Sequence, residues 1–177
     1  MEDVWDKSKR FGLNSYRDLL AKLDWEIEGL EDVVENSIEE RYRYFNTAVT
    51  AWHLTDWVWQ AMSAEDRRII VDQHPASRDT VTSFQKLVRL TSEALLICDQ
   101  VANGSKHFER SRHDNPDIFT AMTNAMNIYQ HIETGELMQK ETVSTFIVYG
   151  DSFYAPIALF RKARSDWDLI LNGFGLS

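Results

Sequence analysis

Hydrophobic positions keep helical spacing through most of residues 15–110 and again after residue 156. Tyr16, Leu19, Leu20, Leu23, Ile27 and Leu30 form the first series. Asn14-Ser15 ahead of it supplies a cap, because a short polar side chain accepts the first unpaired helical N–H groups. This helix should end near Glu31. Ser37 with Glu40 has capping-box spacing and opens a long second helix to about Met62. Its stripe of Phe45, Ala48, Trp52, Thr55, Trp59 and Met62 should face the core. Ser63 with Asp66 starts a short helix through Val71, which His74-Pro75 must end, since the residue before proline avoids helical angles. A third long helix then runs from Asp79 or Thr80. It carries Phe84, Leu87, Val88, Thr91, Ala94, Leu95, Cys98 and Ala102 on one face, and Gly104 either ends it or is carried through.

The pattern changes after that. Phe108 to Pro116 is charged and reads as a loop. Residues 118–132 fit two elements: Ile118, Met122, Ala125, Tyr129 and Ile132 have helical spacing, while the Thr and Asn content and the absence of caps suit an exposed strand. Thr142 to Tyr149 is β-branched and aromatic, Gly150-Asp151 is a tight-turn signal, and Phe153 to Ala155 can return as a partner strand. Pro156 in a first turn, then Ile157, Leu159, Phe160, Ala163, Trp167, Ile170 and Leu171 with Gly173 beyond, describe a closing helix. The expected fold is mainly α: a bundle of four to five helices with a small C-terminal hairpin or meander before the last helix. One domain is expected over 1–177, with 15–110 as the bundle, 111–156 as a β-containing insertion and 157–172 as the closing helix.

Composition narrows the functions. At 177 residues, with 44% hydrophobic and 12% aromatic residues, the chain can bury a full core. A formal net charge of -9 argues against broad affinity for nucleic-acid phosphates, which needs many Lys or Arg, although a local basic patch is compatible with it. The single cysteine, Cys98, excludes a disulfide framework and a cysteine-based zinc site, and favours a reducing, cytoplasmic setting. The start, Met1-Glu2-Asp3-Val4-Trp5-Asp6-Lys7, is too acidic for a signal peptide, and no run approaches the roughly 18 apolar residues of a membrane span. A soluble protein with no membrane contact is expected.

Two polar sets interrupt the helical pattern. On the second helix, Asn46, Thr50, His53, Asp56, Trp57 and Gln60 share a face, so His53 and Asp56 can touch. A carboxylate beside an imidazole fixes its tautomer and suits a base, a phosphate contact or a metal ligand; a rim histidine bonded to Asp56 fits as well. On the third helix, Asp99, Asn103 and Lys106 form one line and Gln100, Asn103 and His107 the next. There Asn103 can orient a phosphate, Lys106 neutralise it and His107 move a proton. Equally, Asn103-Gly104 can be a left-handed C-cap whose exposed carbonyls Lys106 and His107 meet. His53, Asp56 and His107 are ligand types for zinc, iron or manganese, but no His-Glu-x-x-His or paired Glu-x-x-His pattern is present, and no metal or cofactor is expected. Arg110-Ser111-Arg112-His113 and the Glu39 to Tyr44 run read as solvated surface.

The long helix with His53-Leu54-Thr55-Asp56-Trp57, followed by a second ending in Ala102-Asn103-Gly104-Ser105-Lys106-His107-Phe108, resembles bacterial and phage proteins related to the HEPN superfamily. The resemblance covers about residues 15 to 110. It implies a helical bundle, often dimeric, of toxin-antitoxin, abortive-infection and other defence systems, many members being metal-independent ribonucleases. His107 matches the motif histidine and Asn103 a polar position within the motif. The motif arginine has no counterpart in Asp99-Gln100-Val101-Ala102, and Lys106 lacks the planar bidentate contact of guanidinium.

Two functions follow as expectations. In the first, a homodimer binds RNA or a nucleotide phosphate in a cleft between the long helices. His107, Lys106 and Asn103 would be catalytic if RNA is cleaved, and His53, Asp56, Trp57 and Asp99 would line the cleft. In the second, the chain is a non-catalytic interaction or scaffold protein, a phage or defence accessory subunit meeting an antitoxin or another partner through a protein interface.

Overall fold

The computed structural model describes residues 11–32, 37–74, 81–104, 115–130 and 134–176. Among them are six helices and a three-stranded antiparallel sheet in the order β1-β2-β3. Helix α1 (Tyr16–Glu28) starts at a complete capping box between Ser15 and Asp18. Helix α2 (Ile38–Ala61) starts at Ser37, whose hydroxyl accepts the Glu40 N–H at 3.0 Å. Helix α3 (Ala64–Gln73) is capped by Ser63 and ends at His74, as the proline after it requires.

The single helix expected after Asp79 is two helices, α4 (Val81–Thr91) and α5 (Glu93–Gly104), which raises the helix number above the expected four to five. Ser92 makes the corner. Its hydroxyl accepts the Leu95 N–H at 3.0 Å and donates to Asp166 Oδ2 at 2.6 Å. Its own N–H and C=O continue the helical ladder to Val88 and Leu96, both at 2.9 Å, so Ser92 itself leaves no backbone group unpaired at the turn. Apolar periodicity hid the break because both helices bury their apolar faces in the same core.

Helix α2 packs against α1, α4, α5 and the closing helix α6 (Pro156–Gly173). Phe84 is a hub: its ring lies 6.2 Å from Trp59, 6.3 Å from Trp167 and 6.1 Å from Phe174. Trp167, fully buried, donates its indole N–H to the Ala51 carbonyl at 2.9 Å, tying α6 to α2. The expected α2 stripe is buried except for Phe45, which is partly exposed. Trp52 and Trp59 are therefore core residues, and only half-buried Trp57 among the α2 tryptophans approaches the surface.

Residues 118–130, which fit helix or strand by pattern, form β1 (Ile118–Gln130). The decisive partner is β2 (Leu137–Tyr149), longer than the expected Thr142 to Tyr149, with pairing uninterrupted from Ile118↔Tyr149 to Gln130↔Leu137. Cross-strand pairing outweighs the helical spacing of five apolar residues. The short β3 (Ser152–Tyr154) returns through Gly150-Asp151, where Gly150 has φ 56° at the first central position, the placement of a type II′ turn. Only the base of this ribbon joins the bundle: Ile147 is in the core with Ile118, Tyr149 and Tyr154 packed on it. Thirteen residues per strand span roughly 44 Å, so the distal half projects from the helices. There Met126, Ile128 and Leu137 are 66%, 63% and 71% exposed.

Candidate functional site

Three features collect the chemistry, and each follows from the packing just described. The first is built by the Ser92 corner. Ten residues of straight helix would separate Arg89 from Asp99 by about 15 Å, beyond the reach of their side chains. The helix break at Ser92 instead accompanies an approach of Arg89 Nε to 2.6 Å from Asp99 Oδ2. The guanidinium also lies 4.9 Å from the centre of the Trp52 ring, a cation–π placement. Asn103 Nδ2 donates to Asp99 Oδ1 at 2.5 Å, and Gln100 accepts the Asn115 N–H at 2.8 Å, tying the residues just before β1 to α5.

Asp99 is 1% exposed, so its carboxyl group is held inside by the Arg89 guanidinium and the amides of Asn103 and Gln100 rather than offered to solvent. It has a neighbour in Cys98, whose thiol burial pushes up to about 12, with the Asp99 charge adding to the effect. Sequence pattern missed Arg89 entirely because it belongs to a different turn of an apparently continuous helix. The available signal was Ser92-Glu93, a cap-type residue followed by an acid, inside an apolar run.

The second feature is a recess of about 460 Å³ where Asp56, Trp57 and Gln60 of α2 meet Asn14, Ser15 and Tyr16 at the start of α1. The N–H of Asn14, the hydroxyl of Ser15 and the N–H of Ser15 all donate to Asp18 and hold its carboxyl below the usual value. His53 is half-buried one turn before Trp57. Asp56 and Trp57 thus open toward α1, whereas Asp99 and Asn103 gather with Arg89 of α4 and Trp52. Lys106 and His107 lie outside the described residues. Among the described residues, no three His, Cys, Asp or Glu side chains are grouped so as to hold a metal ion.

The third feature is the projecting ribbon. Strand β1, Ile118 to Gln130, contains no charged residue, no proline and no glycine, in a chain of which 27% is charged. One edge pairs with β2, and no strand among the described residues pairs with the other. Thirteen consecutive uncharged residues were visible in the sequence; their edge position was not.

No helix among the described residues is long and apolar enough to cross a membrane. No family model, curated protein or solved structure matches the chain.

Proposed function

We propose that the chain is a non-catalytic interaction protein that works as a homodimer, its HEPN-like bundle carrying a β-ribbon whose open β1 edge pairs with β1 of a second copy. The observation that carries this reading is the long, uncharged edge that no strand among the described residues covers. Proteins guard such edges with lysine, proline, bulges or short strands. Strand β1 has thirteen residues, pairs with β2 without a bulge and contains neither lysine nor proline. A two-stranded ribbon is marginal by itself in water, and addition of a second copy would make four strands.

Charge selects the partner. A strand with no carboxylate has nothing to offer a basic protein, and one with no Lys or Arg has nothing for phosphate. A second copy meets it without like-charge repulsion, although the molecule as a whole carries -9. Antiparallel self-pairing about Asn124 sets Met122 opposite Met126 of the other copy, an isologous contact that closes on itself. Light scattering on purified protein should give twice the chain mass of 20.6 kDa. Asn124→Lys with Met126→Lys should return the single mass with an unchanged circular dichroism spectrum. A wild-type monomer, or a dimeric variant, would refute the reading.

A second reading, binding of RNA or a nucleotide phosphate in the manner of HEPN-like ribonucleases of defence or toxin-antitoxin systems, is favoured by one observation. Arg89 supplies from α4 a guanidinium beside Asn103, the group that no residue of 99–102 provides. Against it, Arg89 is already engaged by Asp99. Incubation of the protein with total RNA, beside His107→Ala and Arg89→Lys variants, tests it. Cleavage or retention lost in both variants supports this reading, and intact, unretained RNA rejects it.

A further inference from the structure

Between the ribbon and the bundle lies a cavity of about 320 Å³ that neither reading uses. Phe45 of α2, Val101 of α5, Met122 of β1, Ile147 of β2 and Phe160 of α6 contribute to a mostly apolar lining. Four polar side chains break it, those of Arg41, Tyr44, Thr120 and Thr145, and the first and last bear on a guest. Arg41 stands on the wall and makes no ion pair among the described residues, whereas Arg43, two residues on, clasps Glu39 at 2.7 Å. Thr145 also lines this space, and its hydroxyl is buried without a hydrogen-bond partner among the described residues. A buried hydroxyl left unpaired costs roughly 1–3 kcal/mol, and such a group in a cavity wall marks where a polar atom of a guest can sit.

From this combination we infer a binding site for a free amphiphile with an aliphatic body and a single carboxylate head. The volume is at the lower end of small-molecule sites, which are mostly apolar with a few placed polar groups. A chain would displace water from Phe45, Val101, Ile147 and Phe160. The head would take the Arg41 cation, and the Thr145 hydroxyl would donate to an oxygen of the guest. An anion is selected over a cation because Arg41 is the charged side chain in the lining. All the lining residues belong to one chain, so the site does not require a second copy.

The test is calorimetric titration of the full chain with dodecanoate below its micellar concentration, beside dodecyltrimethylammonium and vesicles of neutral phosphatidylcholine containing dodecanoate. Saturable one-to-one binding of dodecanoate is expected. Arg41→Gln should weaken it about tenfold, the worth of one charge-assisted hydrogen bond, and Met122→Trp, at a partly exposed wall position, should abolish it by filling the space. Both variants should melt within a few degrees of wild type. No saturable binding, equal affinity for the cationic amphiphile, binding only to vesicles, or dodecanoate affinity unchanged in Met122→Trp would each overturn the assignment.

Discussion

Arg89 and Asp99 form an ion pair of 2.6 Å across a helical corner, although ten residues of one apparently continuous apolar pattern separate them. The Asp99 side chain is 2% exposed and that of Arg89 31%, so one partner is inside and the other shields it. Removing the shield leaves a buried charge uncompensated, and that is far costlier than losing both charges.

Arg89→Ala should therefore destabilise the chain by roughly 3 kcal/mol, read as a shift in the urea midpoint at constant slope. The double variant Arg89→Ala with Asp99→Ala should cost less than the sum of the single variants. Strict additivity would show that the pair contributes no coupling.

Ser92 is the second support of that corner. Its Oγ both accepts the Leu95 N–H and donates to buried Asp166, whose other oxygen is held by Lys162. Ser92→Ala removes a cap and strips a carboxylate of a donor, for an expected loss of roughly 2 kcal/mol, measured by chemical denaturation. Ser92→Thr keeps the hydroxyl and should recover part of it. An unchanged midpoint in the alanine variant would mean that the turn is made elsewhere.

How much of this was legible beforehand differs by element. Ser15, Ser37 and Ser63 placed three helix starts within a residue, because N-cap chemistry is local and reads directly from the chain. Ser92 has the same chemistry but sits within a run whose apolar spacing never falters, so periodicity overruled it. The 118–132 segment fits a helix by spacing and a strand by composition; only the pairing of 118–130 with β2 decides it. Of the candidate site residues, Asp99 and Asn103 do share a cluster, but Arg89, which completes it, follows from the corner and not from spacing. Asp56 and Trp57 open toward α1, a relation set by helix packing that no single-helix pattern contains.

Cys98 gives a pH dependence of definite sign. Burial and the Asp99 charge raise its thiol from the ordinary value of 9.0 to about 12, so the folded chain keeps a proton that the unfolded chain loses. The resulting stability is complete below the unfolded value and declines as pH rises from about 9 through 12. Over that window wild type should lose more stability than Cys98→Ala, and at neutral pH the native thiol should not react with a disulfide reagent until the chain unfolds. Equal slopes for the two proteins would contradict the assignment.

At the acid end Asp18 acts with the opposite sign. Donation from Asn14 and Ser15 lowers its pKa from 3.8, so its contribution is present above that value and is lost as pH falls through the lower folded value. Asp18→Asn should flatten the acid limb of the stability curve, followed by circular dichroism. A limb identical to that of wild type would show that the cap does not respond to protonation.

The central claim, that two copies meet along β1, is tested most directly by a single thiol on the proposed dyad. In antiparallel self-pairing, Asn124 faces its own copy at a Cα separation of roughly 4.5–5.5 Å, within disulfide range. The native Cys98 is buried and does not compete. Mild oxidation of Asn124→Cys should yield a disulfide-linked dimer in high proportion, while Phe153→Cys, also exposed but on β3, should stay monomeric on a non-reducing gel. No cross-link at position 124, or the same cross-link at both positions, would contradict pairing along β1.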